Sequence, residues 1–388
     1  MDTAWVKSAY AAIRAVVTSG ADSKARADCT KLAASLLHKY PPTLLFGSNS
    51  LGKSPSSASD KPFVYIFMQL VLIDLRAAFP SLMEQLATPS YGSVAHRLAS
   101  DFDVLAAFLG YLLMVDDFED IPLDPGMLLK LKAAIGETFE LTLEFLRDRW
   151  DAAYAGAAGF EPGFEKDVPL GLTWDTKLEG GIVKDPLVIA AIRALSLWLK
   201  EDESLREESG GLTDLFLGLW KKGQEDGVDY RFWILSALEG TVEEENGREQ
   251  FLKYGGLHLV WDDLKTAYSD KNPHQDDLRL VMDETRLLTQ VLTLEDRIDA
   301  AWAEDVVATA NRCEYGGIRP ELDSGIVRLA SACLAKLHKA DRRRLGTAVE
   351  KLKEGCLRLH VAAQEGKADD GVMELLSEAI AELDELGV

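Results

Sequence analysis

Apolar residues recur at steps of three and four through residues 93–150, and this spacing limits what the chain can fold into. One set precedes the acidic run DDFED and a second follows IPLDPG: Val94, Leu98, Phe102, Leu105, Leu109 and Leu112, then Leu128, Leu131, Ile135, Phe139, Leu143, Leu146 and Trp150. Each set lies on one face of an α-helix. Asp124 before Pro125 suits the start of the second helix, because the carboxylate caps it and the ring needs no N–H. Asp185 before Pro186 repeats this start for a later helix. The pattern predicts two long antiparallel helices that need further helices to cover their apolar faces.

Size and charge narrow the class of protein. The chain has 388 residues, of which 47% are hydrophobic and 27% charged. That composition is ordinary for a folded protein, and a stack of helical repeats reaches this length as one body. The formal net charge is −22, which repels nucleic acid and anionic lipid. We therefore expect a protein partner with a basic segment, and no nucleic acid; the oligomeric state stays open.

The cysteines and the apolar segments indicate a cytoplasmic location. Cys29, Cys313, Cys333 and Cys356 are far apart and form no CxxC motif, as expected for reduced, buried thiols. The beginning, MDTAWVKSAY, has an acid at position 2 and does not read as a signal peptide. The apolar run over residues 63–73 stops at Asp74. It is too short to cross a bilayer, so we expect a buried helix and no membrane insertion.

The remaining segments predict one irregular all-α solenoid over residues 1–388. Residues 47–61 are polar and Ser-rich, as in a flexible loop, and residues 156–184 form a long connection rich in Gly, Pro and acids. Gly255-Gly256 and Gly316-Gly317 each follow a helical segment and precede another. Such pairs let one helix stop and the next leave at an angle, as at the corner of an armadillo-type repeat. No segment alternates as strands do.

Residues 47–54, GSNSLGKS, match the phosphate-loop pattern G-x-x-x-x-G-K-[ST] letter for letter. A working phosphate loop joins a buried strand to a helix, whose N-terminal amides and lysine close on the phosphates. Here Pro55 follows, and then Ser-rich sequence in which no amphipathic helix begins. Nucleotide binding at residues 47–54 is an alternative that the sequence leaves open, against a flexible loop.

Asp116, Asp117, Glu119 and Asp120 form the sequence DDFED, which is the D-D-x-x-D box of class I terpene cyclases. In those all-helical enzymes such carboxylates gather Mg²⁺ ions that withdraw the diphosphate of a prenyl substrate. Asp262, Asp263, Thr266 and Asp270 form a loose second box. No cluster of basic residues is placed to hold a diphosphate. The cyclase is therefore an alternative to the simpler interpretation, solvated acids at the turn between two helices.

The histidines and tryptophans predict no catalytic, metal or cofactor site. The six histidines show no HExxH spacing, and no G-x-S-x-G motif occurs. Most of the eight tryptophans lie on apolar helical stripes, where they fill a core. Trp174 lies instead in the loop sequence LTWDTK, where an aromatic side chain is a candidate anchor for a docked protein.

Several segments, in order along residues 5–268, resemble segments of one known protein family. They are KPFVYIFMQLVLIDLRAAFPSLMEQL, HRLASDFDVLAAFLGYLL, MLLKLKAAIGETFELTLEFLRDRWDAA, LTWD and DPLVIAAIRALSLWLKED. Together they resemble the neurochondrin family in its divergent, fungal-type branch. The resemblance implies an armadillo-like helical scaffold in the cytoplasm that acts through protein contacts and without known catalysis. It supplies no active-site residue.

The sequence as a whole predicts an armadillo- or HEAT-like α-solenoid of stacked helix pairs. Its expected function is that of a non-enzymatic scaffold, adaptor or dedicated chaperone without a cofactor. The candidate protein-binding residues are Asp116, Asp117, Glu119, Asp120 and Trp174.

Overall fold

The computed structural model describes residues 3–47, 62–115, 121–154, 179–269, 275–312, 320–366, 368 and 370–386. Throughout these residues the regular structure is α-helix with short 3-10 turns, and no strand occurs in them. The chain divides into two compact units, Met1–Gly240 and Thr241–Val388, which we describe separately. The predicted all-α fold is confirmed.

The first unit is built from ten helices within the described residues, the last of which ends one residue beyond it. They are α1 Thr3–Thr18, α2 Ser23–Leu37, α3 Thr43–Phe46, α4 Phe63–Gln85, α5 Tyr91–Met114, α6 Pro125–Tyr154, α7 Pro186–Glu201, α8 Arg206–Ser209, α9 Thr213–Asp226 and α10 Arg231–Thr241. Short 3-10 turns occupy Gly181–Lys184, Glu203–Leu205 and Gly210–Leu212.

Side-chain caps fix where the long helices begin, as the sequence predicts. Asp124 Oδ1 accepts from the Met127 N–H at 2.9 Å ahead of α6. Asp185 Oδ1 accepts from the Leu187 N–H at 3.1 Å ahead of α7, whose first residue is Pro186. Each carboxylate satisfies one amide that the first turn of a helix leaves without a partner.

The helices of the first unit stack in two rows. One row contains α1, α4 and α6, and the other contains α2, α5 and α7; each helix packs on the next member of its row. Contacts of α1 with α2, α4 with α5 and α6 with α7 join the rows. Such layering, in which each helix covers its neighbour's apolar face, is the packing of an α-solenoid, and it confirms the prediction of stacked helix pairs.

One part of the prediction needs correction: α5 and α6 exist, but they do not pack along each other. Helix α5 packs most extensively on α7 and α2, and helix α6 packs most extensively on α4. The predicted apolar stripes are largely buried, yet Leu112 and Leu128 are half-buried. These two residues face a groove that opens between the two helices.

Helix α4 runs through Pro80 without a break. Proline usually interrupts a helix because it lacks an N–H and its ring clashes with the preceding turn. Phe79 and Leu82 are buried on either side of it, so packing holds both halves in one helix. By length and composition α4 is the one helix in the described part that is apolar enough to span a membrane. Its side chains from Phe63 to Leu82 form much of the core, as in a buried helix.

The second unit is also built from packed helices, which within the described residues are α11 Glu245–Lys253, α12 Gly256–Ser269, α13 Gln275–Leu294, α14 Ala300–Ala310, α15 Pro320–Lys336, α16 Lys339–Arg344, α17 Gly346–Gly366 and α18 Asp370–Glu385. Helix α15 is central and packs on α13, α14, α17 and α18. Gly255 has φ +74° between α11 and α12, which a side chain rarely tolerates. The predicted corner at Gly255-Gly256 is confirmed, whereas Gly316-Gly317 lies outside the described residues.

Candidate protein-binding groove

The first unit carries an apolar groove where α5 ends, α6 begins and α7 ends. It has a volume of about 280 Å³. Its apolar lining consists of Phe108, Leu109, Leu112, Leu113, Ile121, Leu128, Leu129, Leu131, Ile135, Leu197 and Trp198. The floor is rigid, because Phe108, Leu131 and Ile135 are buried core residues and Phe139 packs against Trp198 with ring centroids 5.6 Å apart.

The edges of the groove expose large apolar side chains. Leu113 is 47% exposed and Leu129 is 69% exposed. Single exposed leucines are common on protein surfaces. Two that line the same apolar cavity form the kind of patch at which proteins bind one another.

Three charged residues line the groove: Lys132, Glu201 and Asp202. Lys132 Nζ lies 2.7 Å from Asp202 Oδ2, and Asp202 Oδ1 also accepts from the Ser204 N–H at 3.0 Å. Burial opposes the charged form of Asp202, but hydrogen bonds from Lys132 and Ser204 outweigh it and lower the pKa of this carboxyl. Asp202 therefore stays ionised and holds the turn after α7 in place.

Arg206 caps the C-terminal end of α7 with its guanidinium group. Its Nε donates to the Leu199 carbonyl at 3.0 Å and its Nη2 to the Lys200 carbonyl at 2.9 Å. These carbonyls belong to the last turn of α7, which has no amides left to bond them.

Among the groove-lining residues, Lys132 and Asp202 offset each other, and exposed Glu201 forms no ion pair within the described part of the chain. The lining thus has a net negative charge at Glu201.

The candidate binding residues from the sequence are Asp116, Asp117, Glu119, Asp120 and Trp174, and all five lie outside the described residues. The first four belong to the connection between Val115 and Ile121, and Ile121 lines the groove. The periodic stripes include several lining residues, but they did not indicate a groove, because a stripe does not show which of its residues lack a covering helix; exposed Leu113 and Leu129 fall off the stripes. The available signal was the adjacency of apolar residues, Leu112-Leu113-Met114 and Leu128-Leu129, across the acidic connection.

The structure around Gly47 does not suit a phosphate loop. Gly47, the one described residue of that pattern, directly follows helix α3 and not a strand. A phosphate loop needs a buried strand before it and a helix directly after it, whereas α4 begins at Phe63.

The second aspartate box lies on α12. Asp262 is exposed and lies 3.7 Å from Lys265 Nζ, one turn along the helix. Thr266 Oγ1 donates to the backbone carbonyl of Asp262 at 2.8 Å, and Asp270 lies outside the described residues. Where the structure is described, no group of three or more His, Cys, Asp or Glu side chains is placed to hold a metal ion.

A buried polar cluster away from the groove has a structural role. Tyr91 of α5, Arg149 of α6 and Asp185 at the start of α7 are all fully buried. The Tyr91 hydroxyl donates to Asp185 Oδ2 at 2.7 Å, and Arg149 Nε lies 3.4 Å from the same oxygen. Burial and the charge of Asp185 raise the pKa of Tyr91, so its hydroxyl remains a donor. The cluster ties three helices together.

Comparisons with known proteins add the family context. A family model described as Neurochondrin matches residues 1–290, which include every residue that lines the groove. An uncharacterized protein of Schizosaccharomyces pombe is 25% identical over 226 residues. That match covers 57% of this chain, and it spans 37% of the length of the relative.

Proposed function

The chain belongs to the neurochondrin family, and from that premise we propose that it is a non-enzymatic helical scaffold or adaptor that binds partner proteins. The observation that carries the proposal is the apolar groove with exposed Leu113 and Leu129 on a rigid stack of helices. The family is not known for catalysis. A stack of helix pairs offers long surfaces whose side chains are free to vary, which suits recognition of other proteins.

The expected partner is a protein with a basic segment, in the cytoplasm. The net charge of −22 supports this expectation, because an acidic surface attracts cationic segments and repels nucleic acid. Asp116, Asp117, Glu119 and Asp120 directly precede Ile121 of the groove in the chain, and they remain candidate contacts for that segment. Trp174 remains a candidate anchor. A chaperone role toward one dedicated client would use the same surface.

The proposal is tested by capture from native lysate of the source organism, followed by reconstitution with each captured protein after purification. Replacing Asp116, Asp117, Glu119 and Asp120 together by Lys should weaken the reconstituted complex at low salt, since close charge pairs steer and stabilise association. Reversal of four exposed acids on α17 and α18, Glu350, Glu365, Glu374 and Glu385, is the control for total charge. If no captured protein binds again when purified, the scaffold proposal is wrong.

The same preparation tests the enzymatic alternatives. The scaffold proposal predicts no hydrocarbon product from prenyl diphosphates with Mg²⁺, and no thermal shift with Mg-ATP. Product formation that Asp116→Ala abolishes, or a shift that Lys53→Ala abolishes, would establish an enzyme or a nucleotide site in its place.

A further inference from the structure

We propose that the groove binds one amphipathic α-helix of a partner protein, with apolar side chains along the groove and a Lys or Arg beside Glu201. This inference rests on the proposed function and specifies which surface acts and what kind of segment it accepts.

The lining suits a row of apolar side chains better than a metabolite. Its volume, about 280 Å³, is at the lower limit for small-molecule pockets, which also contain polar groups that orient the ligand. In this groove the charged groups are those of Lys132, Glu201 and Asp202, and the rest of the lining is aliphatic or aromatic. Exposed Leu113 and Leu129 extend the apolar surface beyond the cavity. Helices that bind in grooves place residues i, i+3, i+4 and i+7 on such surfaces.

Charge selects a basic helix over an acidic one. Asp202 already pairs with Lys132 at 2.7 Å, so neither attracts a further partner strongly. Glu201 is exposed at the end of α7 and is the charge in the lining without a described ion pair. A Lys or Arg of the bound helix complements it, and complementary charges across an interface set both register and specificity.

The same charge disfavours a second copy of this chain as the occupant. Two copies at −22 each repel at moderate salt. A basic helix from a different protein gains from the charge that two copies would have to overcome. The structure therefore favours a heterologous helix over self-association through the groove.

The test uses three labelled helical peptides and the full chain, with binding followed by fluorescence anisotropy. The first peptide has leucines at i, i+3, i+4 and i+7 and lysines on the flanks; the second has glutamates in place of the lysines; the third has the composition of the first in scrambled order. We expect the first to bind at least about tenfold more tightly than either of the others, a difference of about 1.4 kcal/mol.

Variants connect that binding to the groove. Leu113→Ser combined with Leu129→Ser should weaken the first peptide about tenfold, and Glu201→Lys should reverse the preference between lysine and glutamate peptides. Leu357→Ser is the matched control, because Leu357 is 46% exposed on α17 in the second unit; it should change nothing. Equal binding of the scrambled peptide, or an unchanged charge preference in Glu201→Lys, would overturn the inference.

Two further outcomes separate this inference from the proposed function. If purified partners bind the Leu113→Ser, Leu129→Ser variant as well as the original chain, the scaffold function stands and the groove inference is wrong. If sedimentation shows that the chain dimerises and that this variant does not, the occupant is a second copy, which also contradicts the inference.

Discussion

The hydroxyl of Tyr91 donates a hydrogen bond to Asp185 Oδ2 at 2.7 Å, which joins the start of α5 to the cap of α7. Both residues are fully buried, and so is Arg149 beside them. The carboxylate of Asp185 therefore links α5, α6 and α7 at the ends of these helices that are remote from the groove. It fixes the alignment of α5 with α7, whose other ends carry two of the groove's three walls.

We predict that Tyr91→Phe lowers the free energy of unfolding of the first unit by about 1–3 kcal/mol, because it leaves a buried acceptor without its donor. Asp185→Ala should cost more, about 3–5 kcal/mol, since it also removes the partner of a buried arginine. Urea denaturation and hydrogen exchange of the α5 and α7 amides measure both. Tyr254→Phe is the control, because that ring is 42% exposed; equal losses at both tyrosines would contradict the account.

Helices α7 and α10 approach each other closely at Gly240, and this gives a second prediction. An added Cβ would collide with the Leu199 carbonyl, a backbone atom that has little room to move. Gly240→Ala should therefore destabilise the first unit by about 1–3 kcal/mol through overpacking. At Gly110, inside α5, an added Cβ meets nothing within 4 Å. Gly110→Ala should therefore stabilise by about 0.5–1 kcal/mol through helix propensity. Thermal unfolding compares the two variants, and the same sign for both would refute this prediction.

A buried carboxyl on α5 predicts a pH dependence. Burial first, and then the negative charge of Asp74 and a hydrogen bond with it, raise the pKa of Asp101, whereas Arg97 and Thr30 act in the opposite direction. An unfolded aspartate ionises near about pH 3.9. Above that pH the unfolded chain has lost a proton that the folded chain keeps, so unfolding releases a proton and stability falls as pH rises toward the folded pKa.

Asp101→Asn removes this titration. We expect the free energy of unfolding of the variant, relative to the original chain, to increase as the pH rises above about 3.9 toward the folded pKa of Asp101. Urea denaturation at several pH values gives the two profiles. Parallel profiles would show that Asp101 is ionised in the folded chain and would refute the prediction.

Asp202 predicts a pH dependence of the opposite sign. Its pKa is lowered in the folded chain, so its contribution is present above the unfolded pKa and is lost as pH falls through the folded pKa. Asp202→Asn should cost about 0.2–1 kcal/mol at neutral pH, because Asn can still cap the turn but loses the ion pair with Lys132, and it should cost little at low pH. The control is Asp296→Asn, at an exposed aspartate of the second unit. Urea denaturation at several pH values compares the two variants, and equal losses for both at neutral pH would contradict the prediction.

The sequence predicted where helices begin and end better than it predicted which helices pack together. Asp124, Asp185 and Gly255 are caps or corners that chemistry specifies within a few residues, and each lies where the sequence placed it. The partners of α5 and α6 were not predictable in this way, because an apolar stripe says that a face is covered but not by which helix. The same limit hid the groove, which forms where Leu112 and Leu128 have no facing helix to cover them.

The central claim is that the groove at the ends of α5 and α7 and the start of α6 binds another protein. Hydrogen exchange of the chain, alone and with a purified captured partner, tests it most directly. The account predicts slower exchange in the complex for the last turn of α5, the first turns of α6 and the end of α7, with α17 unchanged. Unchanged exchange at all three groove segments, in a sample saturated with partner, would contradict it.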